Sequence, residues 1–394
     1  MSILSVNAGS SSLKFALYPV QDGQLGAANV VGHIEGLEPG GRPRLRFGRA
    51  GAMIESAPVL THEARDVFDA ALTTLHHLLS THFAPLRLRA IAHRVVHGGP
   101  FFTRSSRVTP EVLVQLSSLN ALAPLHQPHN LAGIRAFEAQ FPQVPQVACF
   151  DTAFHSTLSA LETTFALNRQ LSEQGVRRYG FHGLSYQYVT QVLRQSVPRA
   201  AGCTLIAHLG NGASVCATTE FQSRATSMGF SALDGLMMGT RCGALDPGVL
   251  LYLMEQGWSH DQIQRLLYRE SGLLGVSGES ADMRCLHASR SEAALFAIQL
   301  FTHRVVREVG ALTASIGGLD VLVFTGGIGE HDAALRQDVC GALAYLGVSI
   351  NPEFNRNANG ERICAIHSNH STVEVWVVPN DEGRVAAQEA LAFV

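Results

Sequence analysis

Lysine is almost missing from this sequence. Of the 29 basic residues among 394, one is lysine, Lys14, and the remaining 28 are arginine. A Walker A phosphate loop needs glycine directly before its lysine, and Leu13 stands there. A protein kinase needs a strand lysine in a V-A-I-K context, which is also absent. Schiff-base chemistry would have Lys14 alone to use. Any handling of phosphates must therefore rest on glycine loops and arginines. The seven cysteines are odd in number and form no C-x-x-C pair, which predicts reduced, buried thiols in a cytosolic protein. There is no H-E-x-x-H or similar ligand spacing, and His76-His77, in a helix-like stretch, reads as structural. No stretch approaches the roughly 18 uninterrupted apolar residues of a membrane span. The first residues, Met1 to Asn7, lack the basic region and cleavage site of a signal peptide, so a cytoplasmic location is expected. A formal net charge of −3 gives no pull toward nucleic acid or an anionic membrane.

What is present is apolar. Hydrophobic residues make up 46% of the chain and charged ones 15%, enough to bury a sizeable core over two or three domains. The opening reads as strand Ile3–Val6, polar turn Asn7–Ser12, strand Leu13–Tyr18. Residues 36–51 suggest irregular or hairpin structure, and Glu63–Phe83 has helical periodicity. Ala90–Val96 reads as a buried strand ending in His97-Gly98-Gly99-Pro100, and Val144–Phe150 as another ending at Asp151. Mid-chain the opening recurs: strand Thr204–Leu209, turn Gly210–Ser214, return strand from Val215. N-A-G-S-S and N-G-A-S thus stand between strands half a chain apart, which points to a duplicated fold with one phosphate-binding hairpin per half. Ala293–Ile316 reads as a long helix and Val321–Thr325 as a buried strand. The glycine turn Gly326–Glu330 leads to a helix near Asp332, and the strand Val373–Val378 leads to Glu382 and a final helix.

Consecutive N–H groups and small hydroxyls in the two hairpins make a suitable anion cradle, though ordinary hairpin turns look the same. Arg94 ends a buried strand, and Arg241 sits in the glycine turn Gly239–Gly243. An arginine in such a place must meet an anion or a carboxylate, and Asp246 is near enough in sequence to offer the second. Asp151 follows a buried strand at a sheet edge. His182 lies between glycine-flanked aromatics, where packed histidines are common. Glu382, just past the last strand, could reach a metal ion or lie on the surface.

The stretches N-A-G-S-S-S-L-K, H-R-V-V-H-G-G, A-P-L-H, F-D-T-A-F-H, R-R-Y-G-F-H-G, H-L-G-N-G-A-S, G-L-M-M-G-T-R-C-G, G-E-S-A-D-M-R and F-T-G-G-I-G-E, in this order, closely resemble the acetate kinase family, which includes propionate and butyrate kinases. The resemblance spans almost the whole chain. It implies a duplicated α/β fold of the actin, Hsc70 and sugar-kinase type, with two domains around a nucleotide cleft, and a homodimer. The expected division is an acyl-substrate half, 1–150, to which a C-terminal helix, 383–394, returns, and a nucleotide-binding half, 151–382.

Carried over by position, Asn7 and Glu382 resemble the Mg²⁺ (or Mn²⁺) positions and Arg94 the substrate-carboxylate arginine. Val96, Leu125 and Phe181 resemble acyl-pocket walls. His182 and Arg241 resemble the transition-state stabilisers and Asp151 the acid/base position. ATP contacts are implied at Lys14, at His208, Leu209, Gly210, Asn211 and Gly212, at Asp282, Met283 and Arg284, and at Gly327, Ile328, Gly329, Glu330 and His331. Two positions depart from the family pattern: Ala232 replaces a pocket-lining proline, and His331 an asparagine. The implied reaction is reversible phosphorylation of acetate by ATP, through direct in-line transfer. A carboxylate is already ionised and needs no base, so Asp151 is better assigned to positioning. Propionate or butyrate as substrate is the alternative. An actin- or Hsc70-like ATPase module is a more distant one, with no need for the H-R-V-V-H-G-G and R-Y-G-F-H-G residues.

Overall fold

The computed structural model describes residues 1–9, 12–37, 43–49, 52–58, 67–82, 87–124 and 126–394. Ser10 and Ser11 of the first hairpin turn, and Leu125, lie outside the described residues. The chain forms two compact units, Met1–Phe154 with Asp381–Val394, and His155–Asn380.

In the first unit, β1 (Ser2–Ala8) buries every residue but Asn7, as a strand covered on both faces must. It pairs antiparallel with β2 (Ser12–Gln21), with Asn7 opposite Lys14. The strands β3 (Gln24–Leu25), β4 (Val30–Glu35), β5 (Arg44–Arg49) and β6 (Ala52–Pro58) extend this side by antiparallel pairing, so the described part of 36–51 is largely a hairpin strand. After α1 (Val67–His82) comes β7 (Leu88–Val95), parallel to β1. Then follow β8 (Ser106–Arg107), α2 (Pro110–Ser118), α3 (Gln127–Gln140) and β9 (Gln146–Phe150), which is parallel to β7. The strand order is β6-β5-β4-β2-β1-β7-β9-β8, with β3 on β2. Leu4, Phe15, Leu75, Leu79 and Phe137 share one core cluster, and Val95, Leu116, Ile134 and Phe150 share another.

The second unit begins with the short helices α4 (Ala160–Thr163) and α5 (Arg169–Glu173), then α6 (Gly183–Ser196). A hairpin of β10 (Thr204–Leu209) and β11 (Ala213–Thr219) continues into β12 (Gln222–Thr226). Helices α7 (Pro247–Glu255), α8 (His260–Arg269), α9 (Gly272–Ser277), α10 (Met283–Ala288) and α11 (Glu292–Ile316) follow. The long α11 starts at a Ser291 N-cap and stops at Gly317, which takes the left-handed φ of 78° that favours glycine. Next come β13 (Val321–Thr325), α12 (Gly326–His331), α13 (Ala333–Ala342), α14 (Pro352–Asn357), β14 (Cys364–Ala365) and β15 (Glu374–Val377). The sheet order is β12-β11-β10-β13-β15-β14, with β13 parallel to β10 and to β15.

Each unit therefore places a hairpin's first strand beside two strands parallel to it: β2-β1-β7-β9 in one, β11-β10-β13-β15 in the other. The fold is duplicated. Two expectations need correction. The stretch from Gly326 is helix from its first residue, because the Glu330 carboxylate accepts from Gly326 N at 2.8 Å and closes the turn. The cysteines are not uniformly buried: Cys149, Cys216 and Cys340 are, but Cys285 is exposed and the others are half-buried.

The last helix, α15 (Glu382–Leu391), packs on β7, β1 and β9 of the first unit. Its start is tied down twice. Asp381 caps it by accepting from Arg384 N, and Tyr18 Oη donates to the same carboxylate at 2.6 Å. The Cys149 thiol reaches Ala386 O at 3.6 Å.

Candidate active site

In the first unit the end of β7 presents Arg94, and the residue after β9 is Asp151. The two meet at full strength: Arg94 Nε donates to both Asp151 oxygens at 3.0 and 3.2 Å, and Nη2 donates to Oδ2 at 2.7 Å. Arg94 Nη1 lies 3.3 Å from Glu382 Oε2, at the first turn of α15. Burial alone would weaken the arginine's charge, but Asp151 and Glu382 more than offset it and drive its pKa up. Asp151 is 2% exposed, so its place is beneath Arg94, while Arg94 and Glu382 keep about a fifth of their surface open. The set carries one positive and two negative formal charges.

Three polar residues that sequence reading missed hold this end of the sheet in shape. Asn130 of α3 accepts from Val96 N at 3.0 Å and donates to Ala8 O at 2.7 Å, tying the ends of β7 and β1 together. Gln127 brackets His97, accepting from its N and donating to its O. The Thr152 hydroxyl accepts from Gly98 N at 3.0 Å. The available signal was polar residues on the buried face of a helix, where each needs a partner.

In the second unit the turn Gly210–Gly212 between β10 and β11 is the focus. A β-carbon built on Gly212 would lie 2.9 Å from Arg241 Nη2 and 3.2 Å from His182 Nε2, so both nitrogens converge on a position only glycine leaves open. One built on Gly210 would lie 3.9 Å from His208 Nε2 and from Gly327 N. His182 and His208 stack with ring centroids 4.3 Å apart. Each has its Nδ1 on a serine hydroxyl: Ser214 for His182 at 2.8 Å, Ser185 for His208 at 2.7 Å. Ser214 also meets Tyr186 Oη, and Ser185 meets the Asn380 amide. Ser185, Tyr186 and Asn380 were not foreseen, and Ser214, expected as a hydroxyl of the turn, is buried in β11 with its oxygen on His182. Ser185 and Tyr186 stand one helical turn after His182, the spacing that could have flagged them.

Arg241 is braced by Nη1 donating to Ala232 O at 2.6 Å. Its turn is fastened by Met238 N to Arg241 O, Leu273 N to Met238 O, and the Thr240 hydroxyl to Tyr268 O. Gly239 N bonds Asn211 O at 3.0 Å, and Ala281 O lies beside Gly239. The segment before Asp282 is thereby drawn to the same turn.

The remaining expected contacts differ in how far they are buried. Phe181, Leu209 and Met283 are buried, so Phe181 packs in the core. Gly329 packs on Phe324 and Ala207. The Glu330 carboxylate is taken up by Gly326 N and Asn380 N, and burial pushes its pKa up. Asp282 caps α10 and pairs with exposed Arg284 at 2.6 Å. Gly327 and His331 are exposed, Ile328 is half-buried, and Val96 offers its backbone N–H to Asn130. Lys14 is exposed on β2. Leu125 is outside the described residues.

Among the described residues no group of three or more His, Cys, Asp and Glu side chains is arranged to hold a metal ion. Mg²⁺ keeps waters and phosphate oxygens and needs only one or two protein oxygens. Glu382, with an open carboxylate paired through Oε2, and Asn7, the one residue of β1 not buried, fit such a role.

The Acetokinase family model matches residues 2–388. A protein named acetate kinase from Rhodopseudomonas palustris is 48% identical over 98% of this chain and 96% of its own length. Another, from Methylocella silvestris, is 45% identical over 100% and 98%. Among solved structures, a propionate kinase from Francisella tularensis superposes with a TM-score of 0.90 at 36% identity, covering all of both chains. An acetate kinase from Porphyromonas gingivalis does so with 0.86 at 34% identity, covering 99% of each. The duplicated sheets described above are thus those of the actin-like ATPase fold.

Proposed function

The chain belongs to the acetokinase family, and from that premise we propose that it phosphorylates acetate with ATP, reversibly, by direct in-line transfer. The observation that carries the reading is the convergence of Arg241 Nη2 and His182 Nε2 on Gly212, a set of donors aimed at one point in a glycine turn. Phosphoryl transfer asks for little else: the γ-phosphoryl oxygens gather charge in the transition state, and fixed donors meet it. Arg241 and His182 serve that end, and the Gly210–Gly212 and Gly326–Gly327 backbone holds the nucleotide's phosphates.

Arg94 binds the acetate carboxylate. Acetate arrives ionised, so no base is needed, and Asp151 holds the guanidinium plane in place. The unliganded set Arg94–Asp151–Glu382 has a net formal charge of −1, the wrong sign for an anion site. Glu382 and Asn7 would hold Mg²⁺, which when bound offsets phosphate charge. Its charge would also offset that of Glu382, which lies 3.3 Å from Arg94 Nη1.

Propionate is the second reading. It is supported by the likeness to a solved propionate kinase and by Ala232, whose carbonyl braces Arg241 while its side chain is smaller than the family proline. The chain works as a homodimer in the cytoplasm. Supporting the first part, α7 and its flank expose Leu251, Tyr252, Met254 and Trp258, and no α7 residue is buried. Supporting the second, no described helix is long and apolar enough to cross a membrane.

The test is trapping with hydroxylamine, using ATP with acetate, propionate or butyrate, with and without Mg²⁺. Acetyl hydroxamate should form only with the metal, and Glu382→Ala should raise the metal concentration required. Turnover in metal-free enzyme, or ATP consumption without trapped acyl phosphate, would contradict the proposal.

A further inference from the structure

His182 does not hold its own backbone in place. It sits at φ 58°, ψ 25°, the left-handed region, at the N-cap of α6. A non-glycine residue is strained there, so its surroundings must impose the conformation. The preceding residues show how. Gly180 has φ 77°, and a β-carbon on it would lie 2.6 Å from His155 Cγ and Cδ2. Phe181 O accepts a hydrogen bond from His155 Nε2 at 2.9 Å. The His155 ring thus lies against Gly180 and grips the carbonyl of the peptide leading into His182.

The tautomer of His155 follows from the chemistry of its neighbours. A carbonyl only accepts, so Nε2 carries the proton. Nδ1 must then accept, and its partner at 2.8 Å is the Ser223 hydroxyl, which can donate. Ser223 in turn lies 3.4 Å from the Cys216 thiol. Burial holds the His155 pKa down at about 4, so the ring stays neutral near pH 7. His155 also meets the Tyr186 ring edge-on, with centroids 5.6 Å apart. Tyr186 Oη touches Ser214, and Ser214 holds His182 Nδ1. The contacts close a ring: His155 sets the backbone of His182 through Phe181 O and reaches its imidazole through Tyr186 and Ser214.

We infer that His155 is a positioning residue for phosphoryl transfer, fixing where His182 Nε2 points, with Phe181 O setting its tautomer and Ser223 anchoring its other ring nitrogen. The inference rests on the reading that His182 meets the transferring phosphoryl group. It gives the final histidine of F-D-T-A-F-H a task of its own, separate from that of Asp151.

The experiment is steady-state kinetics on His155→Leu, His155→Gln, Ser223→Ala, His182→Ala and the double variant His155→Leu/His182→Ala. Thermal unfolding is recorded for each. His155→Leu should lower kcat by about 10²-fold, the scale of a misplaced catalytic group, with the KM for ATP and for acetate changed less than about threefold. His155→Gln keeps an N–H near the Nε2 position and should recover kcat to within about fivefold of wild type. Ser223→Ala removes the hydroxyl that donates to Nδ1, leaving the ring held by Phe181 O alone and freer to tilt, and should lower kcat by about tenfold at near-normal stability. The double variant should be no slower than His182→Ala alone, because the two changes act on one group. An unchanged kcat in Ser223→Ala, or losses in the double variant that multiply, would overturn the inference, and Ser223→Ala decides it if His155→Leu does not fold. If His182→Ala itself keeps wild-type kcat, the fault lies instead with the role given to His182.

Discussion

The two units build their polar sites from opposite materials. In the first, Arg94, Asp151 and Glu382 form a set of full charges, and geometry follows from ion pairing. In the second, stacked imidazoles are oriented by serine hydroxyls, and Arg241 is braced on a backbone carbonyl. The hairpins at their centres are equivalent in topology, so the difference lies in what surrounds them. An acceptor that is already an anion calls for a cation whose own orientation is fixed. A transferring group whose charge is spread over three oxygens calls for several donors whose directions are fixed.

The sharpest way to break this comparison is to remove the arginines. Arg94→Ala and Arg241→Ala should each lower kcat/KM by at least about 10²-fold, each losing a charge-assisted contact. They should do so differently. Arg94→Ala raises the KM for acetate, whereas Arg241→Ala acts mainly on kcat, and Arg241→Lys fails to restore it because a point charge does not replace the planar fork. Identical patterns in saturation kinetics would erase the distinction.

A third arginine, this one fully buried, sharpens it. Arg336 is fully buried, yet among the described residues no carboxylate forms an ion pair with it, Asp332 acting only from further off. Its guanidinium donates to Gly329 O, Glu330 O, Asn355 O, Ala358 O and Asn355 Oδ1, clamping α12 to α14. Desolvation lowers its pKa, the reverse of Arg94. Arg336→Leu leaves those acceptors unpaired and should destabilise the fold by about 3 kcal/mol or more in denaturant unfolding. A loss under about 1 kcal/mol would mean the clamp is dispensable.

Each unit also buries a histidine that desolvation keeps neutral, His93 in the first and His155 in the second, and here the comparison predicts sameness. Burial brings both His93 and His155 down to about 4 from 6.5. Their folded pKa values lie below the unfolded ones, so the stability they contribute is present above about pH 6.5 and is lost as pH falls toward about 4. Unfolding free energy should drop across that window. His93→Gln and His155→Gln should each flatten the slope, and a slope unaltered in both would contradict the assignment.

The smallest effect concerns Ala232. Ala232→Pro keeps the carbonyl that Arg241 needs but narrows the space around it. The propionate/acetate ratio of kcat/KM should fall, within the roughly 1–3 kcal/mol that one methylene is worth, mainly through the KM for propionate. An unchanged or rising ratio would remove Ala232 from the account of substrate size.

Two strands of the second sheet were legible to the residue, whereas the others shifted at one or both ends. Thr204–Leu209 and Val321–Thr325 are mostly apolar runs that each end at a glycine turn, and they are β10 and β13. The hairpin recurrence was legible for the same reason, since a tight turn needs glycine and small residues at fixed places. Side-chain direction was not legible. Phe181, Leu209 and Met283 sit in matching motifs, yet their side chains face the core, because a motif marks where the backbone passes rather than which atoms it presents. Nor did anything local announce the partners. Glu382 reaches Arg94 only because α15 packs on β7, and Ser214 finds His182 across a sheet turn. Such pairings carry no period for a sequence to display.

The central claim is that one displacement moves the phosphoryl group straight from ATP to the carboxylate, with His182, Arg241 and Asp151 placing atoms and never carrying phosphate. The most direct test is the stereochemical course at phosphorus, using ATP made chiral at the γ-position with oxygen isotopes and sulfur. A single in-line displacement inverts the configuration in the acyl phosphate formed. Net retention would require two displacements through a phosphorylated side chain and would contradict the account.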